Sequence, residues 1–476
     1  MANQALSDWV LHSGVKFGTS GARGLVSQMT DTVCYAYASA FIQAVAADSE
    51  RVVIGHDLRP SSPAMAAACA QAVRDACKEV IYVGALPTPA VAYYALSLGA
   101  PSIIVTGSHI PFDRNGIKFY RPDGEISKQD ELAMLAVSVD LPADLKISQL
   151  PDIDPSAFTA YVRRYVDFFG ASALRGKRVA LYEHSSAARD VLPVILEALG
   201  ATVLSLGRTD TFVPIDTEAV RSEDVAQAKR WATEHRFDAI LSTDGDADRP
   251  LIGDEAGNWL RGDVVGILCA RYLQAESVVT PVSSNTALEL CGWFKSIART
   301  RIGSPYVIAG MAGWQGVEVG YEANGGFLLG SDIDRNGLKL AALPTRDAVL
   351  PMLALLCMAK EQSCALSELA MTIPARFTFS DRLQDFPTES SLALINRLRT
   401  DLAEMASWLA PSAGAVSSVN ETDGLRVTFA NGDIVHLRPS GNAPELRCYA
   451  EASTERRAKE LCDACLAKIH SISNPE

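Results

Sequence analysis

From about residue 51 the chain repeatedly alternates short β-branched runs with longer segments of helical periodicity. The first round reads, in order, RVVIG, SSPAMAAACAQAVRDAC, VIYVG, TPAVAYYALSLG and SIIVT. Such alternation predicts β-α-β crossovers and a largely parallel sheet covered by helices. In open α/β sheets ligands bind at the carboxyl ends of the strands, so we expect chemistry in the polar loops that follow these runs.

The alternation occurs three times and then stops. A second round ends in FDAILST and TDGDADR, and a third begins near Gly262 and ends in VEVGYE and ANGG. The last hundred residues read instead as an antiparallel sheet backed by helices, with Asn431-Gly432 as a hairpin turn and one helix through Glu389 to Met405. The predicted fold class is α/β, with three similar mixed α/β domains and a C-terminal α+β domain. Since 476 residues are too many for one core, we expect four domains, at residues 1–150, 151–260, 261–373 and 374–476.

The net charge excludes two classes of partner. A formal charge of −13 and an isoelectric point near 5.1 argue against nucleic acid and against an anionic membrane surface, because both attract basic proteins. No apolar run reaches the roughly 18 residues of a membrane helix, and the stretch MANQALSDWVLHSG lacks the features of a signal peptide. The 10 cysteines are scattered, mostly inside apolar helical stretches, which fits a reducing compartment. We therefore expect a cytoplasmic protein that acts on a small molecule.

The sharpest polar motif is DGDADR, in which Asp244, Asp246 and Asp248 alternate along one loop. Three carboxylates at this spacing can converge on one hard cation such as Mg²⁺ or Ca²⁺. A calcium loop is the competing interpretation, since Glu255 stands at the twelfth position from Asp244, and a solvated acidic turn is another. Arg249-Pro250 occupies the place where a calcium loop needs glycine, and the residues that follow continue as a strand. The magnesium interpretation is therefore favoured.

Three further loops have the composition of anion or sugar sites. RPSGNAPELR offers backbone N–H groups, a hydroxyl, an amide and two guanidinium groups, which suit a dianionic phosphate, although Pro-Ser-Gly-Asn is also ordinary turn chemistry. GTSGARG combines glycines, which let an anion approach the backbone, with Arg23. GYEANGG places Glu322 and Asn324 after a strand, where they could bind sugar hydroxyls.

The segment VTGSHIPFDRNGIKF places Ser108 beside His109 at the end of a predicted strand. The pair suggests a serine hydrolase, but adjacent side chains rarely point at each other and the G-x-S-x-G motif is absent. A serine, a divalent-cation loop, a phosphate loop and a polyol-binding glutamate from four successive domains point to phosphoryl transfer instead. In this interpretation Ser108 carries a phosphoryl group.

Five segments in this order, GTSGARG, TGSHIPFDRNGIKF, DGDADR, GYEANGG and RPSGNAPELR, resemble the signature loops of the α-D-phosphohexomutases. The resemblance covers nearly the whole chain and is greatest to the phosphomannomutase and phosphomannomutase/phosphoglucomutase members. It implies four domains around a central cleft, the last of them similar to the TATA-binding protein. Two positions depart from the family pattern: Ile110 stands where an asparagine is usual, and the sugar loop lacks its usual histidine.

The resemblance also implies a role for each motif. Ser108 would be the phosphoserine and would complete a Mg²⁺ site made by the three aspartates. Arg23 and Lys118 would flank the reacting oxygen, and His109 would support the loop. The sugar would be bound by Glu322, Asn324 and Arg249, and the phosphate that does not react by Arg438, Ser440, Gly441, Asn442 and Arg447.

The expected activity is interconversion of hexose 6-phosphate and hexose 1-phosphate through a hexose 1,6-bisphosphate, with mannose the first choice of sugar and nucleotide-sugar synthesis the purpose. Phosphoglucomutase and phosphoglucosamine mutase are the enzyme alternatives. A non-catalytic sugar-phosphate-binding homologue is the alternative from another class, and either a monomer or a homodimer is compatible with the sequence.

Overall fold

The computed structural model describes residues 4–18, 21–335, 337–440 and 444–473. Its first unit is built on a mixed sheet with the strand order β2-β3-β7-β6-β4-β5, in which β4 pairs in parallel with β5 and β6. A two-residue strand, β8, pairs with β7, and a separate short pair joins β1 and β9. The elements are β1 (Gln4–Ala5), α1 (Leu6–Ser13), β2 (Lys16–Phe17), β3 (Ala22–Leu25), α2 (Asp31–Ala44), β4 (Arg51–His56), α3 (Ser62–Asp75), β5 (Glu79–Ala85), α4 (Thr88–Ser97), β6 (Ser102–Val105), β7 (Arg114–Arg121), β8 (Gly124–Glu125), α5 (Lys128–Ala136) and β9 (Ser138–Val139).

The second unit contains a sheet of order β11-β10-β12-β13, whose first three strands are parallel. Buried apolar residues on these strands and on α7 give this unit its part of the core. The elements are α6 (Ser156–Phe169), β10 (Arg178–Tyr182), α7 (Val191–Ala198), β11 (Thr202–Leu206), α8 (Ser222–Glu234), β12 (Ala239–Thr243) and β13 (Pro250–Gly253).

The third unit repeats this plan in a sheet of order β15-β14-β16-β17-β20. A small hairpin of β18 and β19 lies outside that sheet. The elements are α9 (Gly262–Tyr272), β14 (Ser277–Pro281), α10 (Ala287–Leu290), β15 (Ser296–Thr300), α11 (Ser304–Met311), β16 (Glu318–Tyr321), β17 (Phe327–Leu329), β18 (Ile333–Arg335), β19 (Leu338–Leu340), β20 (Leu343–Asp347), α12 (Val349–Glu361) and α13 (Leu366–Ala370).

The C-terminal unit is an antiparallel sheet of order β21-β25-β24-β23-β22, packed against helices on one face. The turn at Asn431-Gly432 joins β23 to β24, and Gly432 has a φ of 84°, which glycine adopts without strain. The elements are β21 (Phe377–Leu383), α14 (Thr388–Leu398), α15 (Leu402–Leu409), β22 (Val416–Asn420), β23 (Leu425–Phe429), β24 (Ile434–Pro439), β25 (Leu446–Ala452) and α16 (Glu455–Ser473).

This architecture confirms the predicted fold class, with two differences in detail. The sheets are less parallel than the alternation predicts, because the strand after each polar loop turns back: β7 is antiparallel to β6, β13 to β12 and β17 to β16. The predicted helix from Glu389 to Met405 is two helices, because the side chain of Asp401 accepts hydrogen bonds from the backbone N–H groups of Ala403 and Glu404 and begins a new helix there.

The largest apolar cluster joins the first three units and leaves out the C-terminal unit, and further clusters lie within the first, second and third units. One contiguous cluster of buried residues runs through the first three units, from Val53 on β4 to Ile373 after α13. The C-terminal unit has a cluster of its own, from Phe386 to Ile469. Within the described residues, no helix combines the length and the apolar character needed to span a membrane.

Candidate active site

The three polar loops of the first three units share one construction. Each joins a strand of the parallel set to the antiparallel strand beside it: residues 106–113 join β6 to β7, residues 244–249 join β12 to β13, and residues 322–326 join β16 to β17. The hairpin geometry holds the ends of each loop close together. Side chains on such a loop are therefore held in place by two adjacent strands, which favours a preorganised site.

Ser108 lies in the first of these loops with a φ of 50°, a conformation that is strained for a residue with a Cβ atom. The surrounding structure enforces it. The fully buried guanidinium of Arg59 donates hydrogen bonds of 2.6–2.9 Å to the carbonyl oxygens of Ser108, Ile110, Pro111 and Arg114. The Asp57 carboxylate in turn accepts bonds from Arg59 Nε, from Gly107 N and from Thr106 Oγ1. Arg59 and Asp57 thus fix the backbone conformation of the serine loop through hydrogen bonds.

Two glycines allow the loops to approach one another. A Cβ atom on Gly107 would lie 2.5 Å from the guanidinium carbon of Arg59, and one on Gly245 would lie 2.7 Å from the carbonyl oxygen of Ser108. Neither glycine has a positive φ, so space rather than backbone conformation is the constraint. The glycine of the DGD motif is therefore needed for contact with the serine loop.

The aspartate loop faces Ser108 directly. Ser108 Oγ donates a 2.7 Å hydrogen bond to Asp244 Oδ2, and both residues are essentially buried. One carboxylate oxygen from each of Asp244, Asp246 and Asp248 lies within 4.8 Å of the others. Thr88 at the start of α4 ties this loop to the first unit, since its hydroxyl donates to Asp246 Oδ2 at 2.6 Å and its N–H donates to the Asp246 carbonyl.

The aspartate cluster fits a divalent cation. Oδ1 of Asp246 and Oδ1 of Asp248 are buried and have no hydrogen-bond partner in the described part of the chain. Unpaired buried carboxylate oxygens are costly unless a cation or a donor compensates them. Three hard oxygen donors from one loop are the type of ligand set that Mg²⁺ takes. The residues present therefore match the cation that the sequence motif predicts.

Two buried cations hold the third aspartate. Lys118 Nζ lies 2.6 Å from both Asp246 Oδ2 and Asp248 Oδ2, and Arg346 donates to Asp248 Oδ2 from Nε at 3.1 Å and from Nη2 at 2.8 Å. Burial alone would raise the pKa of Asp248, but Arg346 and Lys118 hold it well below its usual range. Burial raises the pKa of Asp244 well above its usual range, and the charges of the other two aspartates add to the rise.

Arg249, His109 and Arg23 complete the charged cluster. Arg249 Nη1 donates to His109 Nδ1 at 2.9 Å, so His109 is an acceptor and is neutral there. Burial and the charge of Arg249 keep the pKa of His109 well below its usual value. The side chain of Arg23 forms neither a hydrogen bond nor an ion pair with the residues that the structure describes, and burial, Arg249 and Arg346 together lower its pKa to about 10. Arg23 is thus close to the cluster but is not engaged by it.

Glu322 and Asn324, the two residues of the GYEANGG loop that are predicted to bind sugar hydroxyls, have different surroundings. Glu322 Oε2 accepts a 3.2 Å hydrogen bond from Arg346 Nη1, which brings it next to the aspartate cluster. Asn324 Oδ1 accepts from Gly326 N within the loop, and the Asn324 carbonyl accepts from Thr217 of the second unit. The Asn324 side chain therefore supports the turn with its oxygen, and its amide nitrogen is the atom left for a ligand.

The residues predicted to bind the phosphate that does not react belong to the C-terminal unit. Arg438 on β24 and Arg447 on β25 are direct cross-strand partners that flank the loop, and Ser440 N donates to the Glu445 carbonyl at 2.8 Å. Like charges at directly paired positions destabilise a sheet, so this pair is explained more readily by an anionic ligand than by folding. Arg438 Nε lies 2.8 Å from Asp423 Oδ2, and Arg447 Nη2 lies 3.5 Å from Glu445 Oε2. Gly441 and Asn442 lie outside the described residues.

Glu218 is a further carboxyl group beside the proposed site. Burial and the neighbouring Asp216 raise the pKa of Glu218, while Arg261 on one side, Arg249 of the aspartate loop and Arg447 of the C-terminal unit oppose that rise. Its carboxyl group therefore lies within electrostatic range of both loops. Sequence reasoning did not single out Glu218.

Sequence reasoning also missed Thr88 and Arg346, and the segment GHDLRPSS, which contains Asp57 and Arg59, is as compatible with helix capping or a buried ion pair as with a place in the site. The only sequence signal for Arg59 is its place just after strand β4, where parallel-sheet ligand sites occur. Arg346 stands inside PTRDAV, a segment with no motif, and only the fold brings it to Asp248 and Glu322.

Comparison with known proteins agrees with this arrangement. Phosphoglucomutase/phosphomannomutase family models match in four segments: alpha/beta/alpha domain I at residues 14–138, domain II at 156–257, domain III at 261–377 and the C-terminal domain at 394–468. A phosphomannomutase of Salmonella muenchen is 48% identical over 98% of this chain and 97% of its own length. A phosphomannomutase of Sinorhizobium fredii is 45% identical over 96% of this chain and 99% of its own length.

Among solved structures, a phosphoglucomutase/phosphomannomutase family protein from Burkholderia thailandensis superimposes with a TM-score of 0.75 at 19% identity, covering 99% of this chain and 98% of that one. At this identity the superposition speaks for the fold alone. The two phosphomannomutases, at 48% and 45% identity over nearly the full length, show family membership as well as the fold. The chain is therefore a member of the phosphoglucomutase/phosphomannomutase family and, with it, a phosphohexomutase.

Proposed function

We propose that this enzyme interconverts mannose 6-phosphate and mannose 1-phosphate through mannose 1,6-bisphosphate, with Ser108 as the phosphoryl carrier. The observation that supports this most strongly is the contact between loops of two different units: Ser108 Oγ is 2.7 Å from Asp244 Oδ2, beside two aspartates with unpartnered buried oxygens. Mannose is favoured because the two relatives at 45–48% identity are both phosphomannomutases.

In the proposed reaction the phosphate ester of Ser108 transfers its phosphoryl group to O6 of mannose 1-phosphate. The bond between phosphorus and Ser108 Oγ breaks, a bond from phosphorus to O6 forms, and the proton that leaves the sugar hydroxyl ends on Ser108 Oγ. The bisphosphate then turns over and returns its other phosphoryl group to Ser108 by the reverse step. No other reactant is consumed, which is why trace bisphosphate suffices to prime the enzyme.

The side chains divide this work by position. Asp244, Asp246 and Asp248 would hold Mg²⁺, and when bound the cation would neutralise charge that develops on the transferring oxygens. Lys118 and Arg23 would stabilise the phosphoryl group as fixed positive charges. The pKa of Lys118 supports this role, because burial would lower it but Asp246 and Asp248 raise it, which keeps the ammonium charged.

Charge balance is consistent with a phosphorylated, cation-bound site. Four carboxylates, those of Asp244, Asp246, Asp248 and Glu322, face four cationic side chains, those of Lys118, Arg249, Arg346 and Arg23. A phosphoryl group adds roughly two negative charges, and one Mg²⁺ adds two positive ones. The buried cluster therefore stays near neutral when both are present, which limits the cost of burial.

Sugar and phosphate recognition would lie on either side of this centre. We assign the sugar hydroxyls to Glu322, Asn324 and Arg249, and the phosphate that does not react to Arg438, Ser440, Gly441, Asn442 and Arg447. His109 would keep Arg249 in place through their hydrogen bond. A single phosphate loop opposite a single serine accepts the bisphosphate in both orientations, as a mutase requires.

The turning of the bisphosphate needs room, and we propose that the C-terminal unit supplies it by rotating about residues 374–377. Its contacts with the third unit include polar ones: Asn285 Nδ2 donates to the Arg376 carbonyl at 2.7 Å, and Thr286 N donates to Glu451 Oε2 at 3.2 Å. Polar interfaces with separate cores are typical of units that move. On this basis we also propose domain boundaries at 150/151, 260/261 and 373/374.

The experiment that tests the function is turnover of a panel of hexose 1-phosphates with Mg²⁺ and trace hexose 1,6-bisphosphate, for the native enzyme and Ser108→Ala. We expect mannose 1-phosphate to give the highest kcat/KM and the variant to be inactive. Preference for glucose or glucosamine 1-phosphate would keep the chemistry and correct the sugar. Unchanged turnover in Ser108→Ala would refute the serine as carrier, and no turnover of any sugar by the native enzyme would favour a binding homologue.

A further inference from the structure

Arg346 makes a connection that the proposed roles leave unexplained. Its guanidinium bridges two loops of different units: it holds Asp248 of the aspartate loop through Nε and Nη2, and Glu322 of the sugar loop through Nη1. The side chain is almost completely buried, as are both of its partners. One rigid, planar group therefore touches the proposed cation site and the proposed sugar site at once.

The fold makes room for this bridge. A Cβ atom on Gly326, the last residue of the GYEANGG motif, would lie 2.6 Å from Cδ and 2.9 Å from Cγ of Arg346. Gly326 does not have a positive φ, so its backbone conformation does not require glycine. The space taken by the Arg346 stem does require it, and the second glycine of the motif is thus tied to the arginine.

The two carboxylates compete for this one guanidinium. Asp248 Oδ2 accepts from Arg346 at 2.8 and 3.1 Å and from Lys118 at 2.6 Å, whereas Glu322 Oε2 has the single, longer contact of 3.2 Å. A divalent cation at the aspartates would take over part of the negative charge of Asp248. The guanidinium would then be held less strongly by Asp248 and more strongly by Glu322.

We propose that Arg346 is a positioning residue that couples sugar binding to cation binding: it orients the Glu322 carboxylate and responds to the charge on Asp248. The inference rests on the proposed function, in which Glu322 receives the sugar hydroxyls. Occupation of the cation site strengthens the Arg346–Glu322 contact and so readies Glu322 for the sugar. Because such coupling is reciprocal, bound sugar phosphate strengthens cation binding by the same factor.

The test measures binding of Mn²⁺ by calorimetry in the full chain carrying Ser108→Ala, which prevents turnover. The dissociation constant of Mn²⁺ is measured without and with saturating mannose 1-phosphate, after subtraction of the heat of Mn²⁺ with the sugar phosphate alone. We expect sugar phosphate to tighten Mn²⁺ binding at least 5-fold, the lower end of ordinary coupling. In Ser108→Ala/Arg346→Met the ratio of the two constants should fall to within 2-fold of one.

Two further variants keep the test decisive. Arg346→Lys preserves the charge, but one ammonium group cannot replace the three guanidinium nitrogens that contact Asp248 and Glu322. In Ser108→Ala/Arg346→Lys the ratio of the two Mn²⁺ dissociation constants should therefore be smaller than in Ser108→Ala. This variant keeps the test available if Arg346→Met does not fold. Arg335→Met, which removes an arginine of the same unit paired with Glu361 at 3.1 Å, should leave the ratio unchanged. A purely structural arginine would weaken both ligands and leave their coupling intact.

An equal ratio in Ser108→Ala and in both Arg346 variants would overturn the inference, as would a ratio of one in Ser108→Ala itself. Either result, with sugar phosphate still bound, leaves the proposed function standing. Failure of the sugar phosphate to bind Ser108→Ala, together with an inactive native enzyme, would overturn the proposed function and this inference with it.

Discussion

The two ends of the proposed site are built differently. At the serine end, five side chains from three units are each less than a tenth exposed and are held at 2.6–3.1 Å by one another or by Ser108: Lys118, Asp244, Asp246, Asp248 and Arg346. At the phosphate end, the side chains of Arg438 and Arg447 are 18% and 38% exposed and have carboxylate partners inside their own sheet. The serine end belongs to the three units that share the largest apolar cluster, and the phosphate end belongs to the unit with a separate core.

This difference indicates a division of labour. Charges that are buried and mutually paired in a dry site interact strongly and need little reorganisation, which suits the transfer step. Charges that are partly exposed on a separately packed unit bind an anion less tightly but can release it. A mutase needs both properties, because it must stabilise one transferring phosphoryl group and must also let go of the other phosphate when the bisphosphate turns.

The largest effect should come from the serine end. Asp246→Asn preserves shape but removes one charge from the cation site, and we expect kcat to fall at least about 1,000-fold, since a metal ion contributes several kcal/mol at the transition state. Calorimetry should show that Mn²⁺ binding is lost in parallel. Asp224→Asn is the matched control, because Asp224 is a buried aspartate of the same unit that pairs with Arg221 away from the site. Full activity in Asp246→Asn would show that the comparison between the two ends is mistaken.

The next effect concerns the shape of the serine loop. Arg59→Met removes four hydrogen bonds to loop carbonyls, so we expect kcat to fall roughly 100-fold with KM changed little, because small misplacements of a reacting group have costs of that order. Thermal unfolding should also shift to lower temperature, since Asp57 loses its partner. Arg164→Met, which removes another buried arginine with no contact to this loop, should affect stability without the selective loss of kcat. Equal losses of kcat in both variants would argue against a specific role for Arg59.

The phosphate end should respond in KM rather than in kcat. Arg447→Ala removes one charge-assisted contact, worth about 1.5–3 kcal/mol, so we expect KM for the sugar phosphate to rise by about 10-fold to 100-fold in steady-state assays. Arg456→Ala, an exposed arginine on α16 that pairs with Glu460, serves as the control and should change nothing. A fall in kcat with unchanged KM would place Arg447 in the transfer step and would remove the proposed division of labour.

The smallest expected effect is on stability, and it follows from a comparison of two buried carboxyl groups, those of Asp248 and Glu318. Asp248 has Arg346 and Lys118 as partners, whereas Glu318 on β16 is 6% exposed with Oε1 unpartnered in the described structure, and burial raises its pKa to about 7. A native pKa above the unfolded one means that the folded protein binds more protons between these values, so stability falls as pH rises from about 4.5 through 7.

Glu318→Gln should therefore raise the thermal midpoint at pH 8 and change it little at pH 4.5, with a gain on the order of 1–3 kcal/mol from the pKa shift. Differential scanning fluorimetry at both pH values measures this. A gain of equal size at both pH values would indicate that packing rather than ionisation is responsible.

Much of the fold follows from local sequence patterns. Strand ends are marked by β-branched runs that stop at polar loops, so the sequence predicts that Ser108, Asp244 and Glu322 each follow a strand, and the structure brings them together. The antiparallel direction of the return strands β7, β13 and β17 was not predicted, because a β-branched run marks a strand but does not give its direction, although each of these strands pairs with the one directly before it.

The residues that sequence reasoning missed share a physical reason. Thr88 and Arg346 contact the aspartate loop from 158 and 98 positions away, and each stands in an ordinary segment whose composition carries no signal. The break in the C-terminal helix at Asp401 is a local feature that capping rules could have found, since Asp401 precedes an apolar helical run. The roles assigned to the site residues themselves stay predictions.

Ser108 is tested as the phosphoryl carrier most directly by following a labelled phosphoryl group. The native enzyme is incubated with hexose 1,6-bisphosphate carrying ³²P and digested, and the labelled peptide is sequenced; a second sample is chased with unlabelled mannose 1-phosphate. We expect label on Ser108 that passes to the sugar during the chase and is absent in Ser108→Ala. Label on another residue, or rapid exchange between sugars with no phosphate on the protein, would refute Ser108 as the carrier.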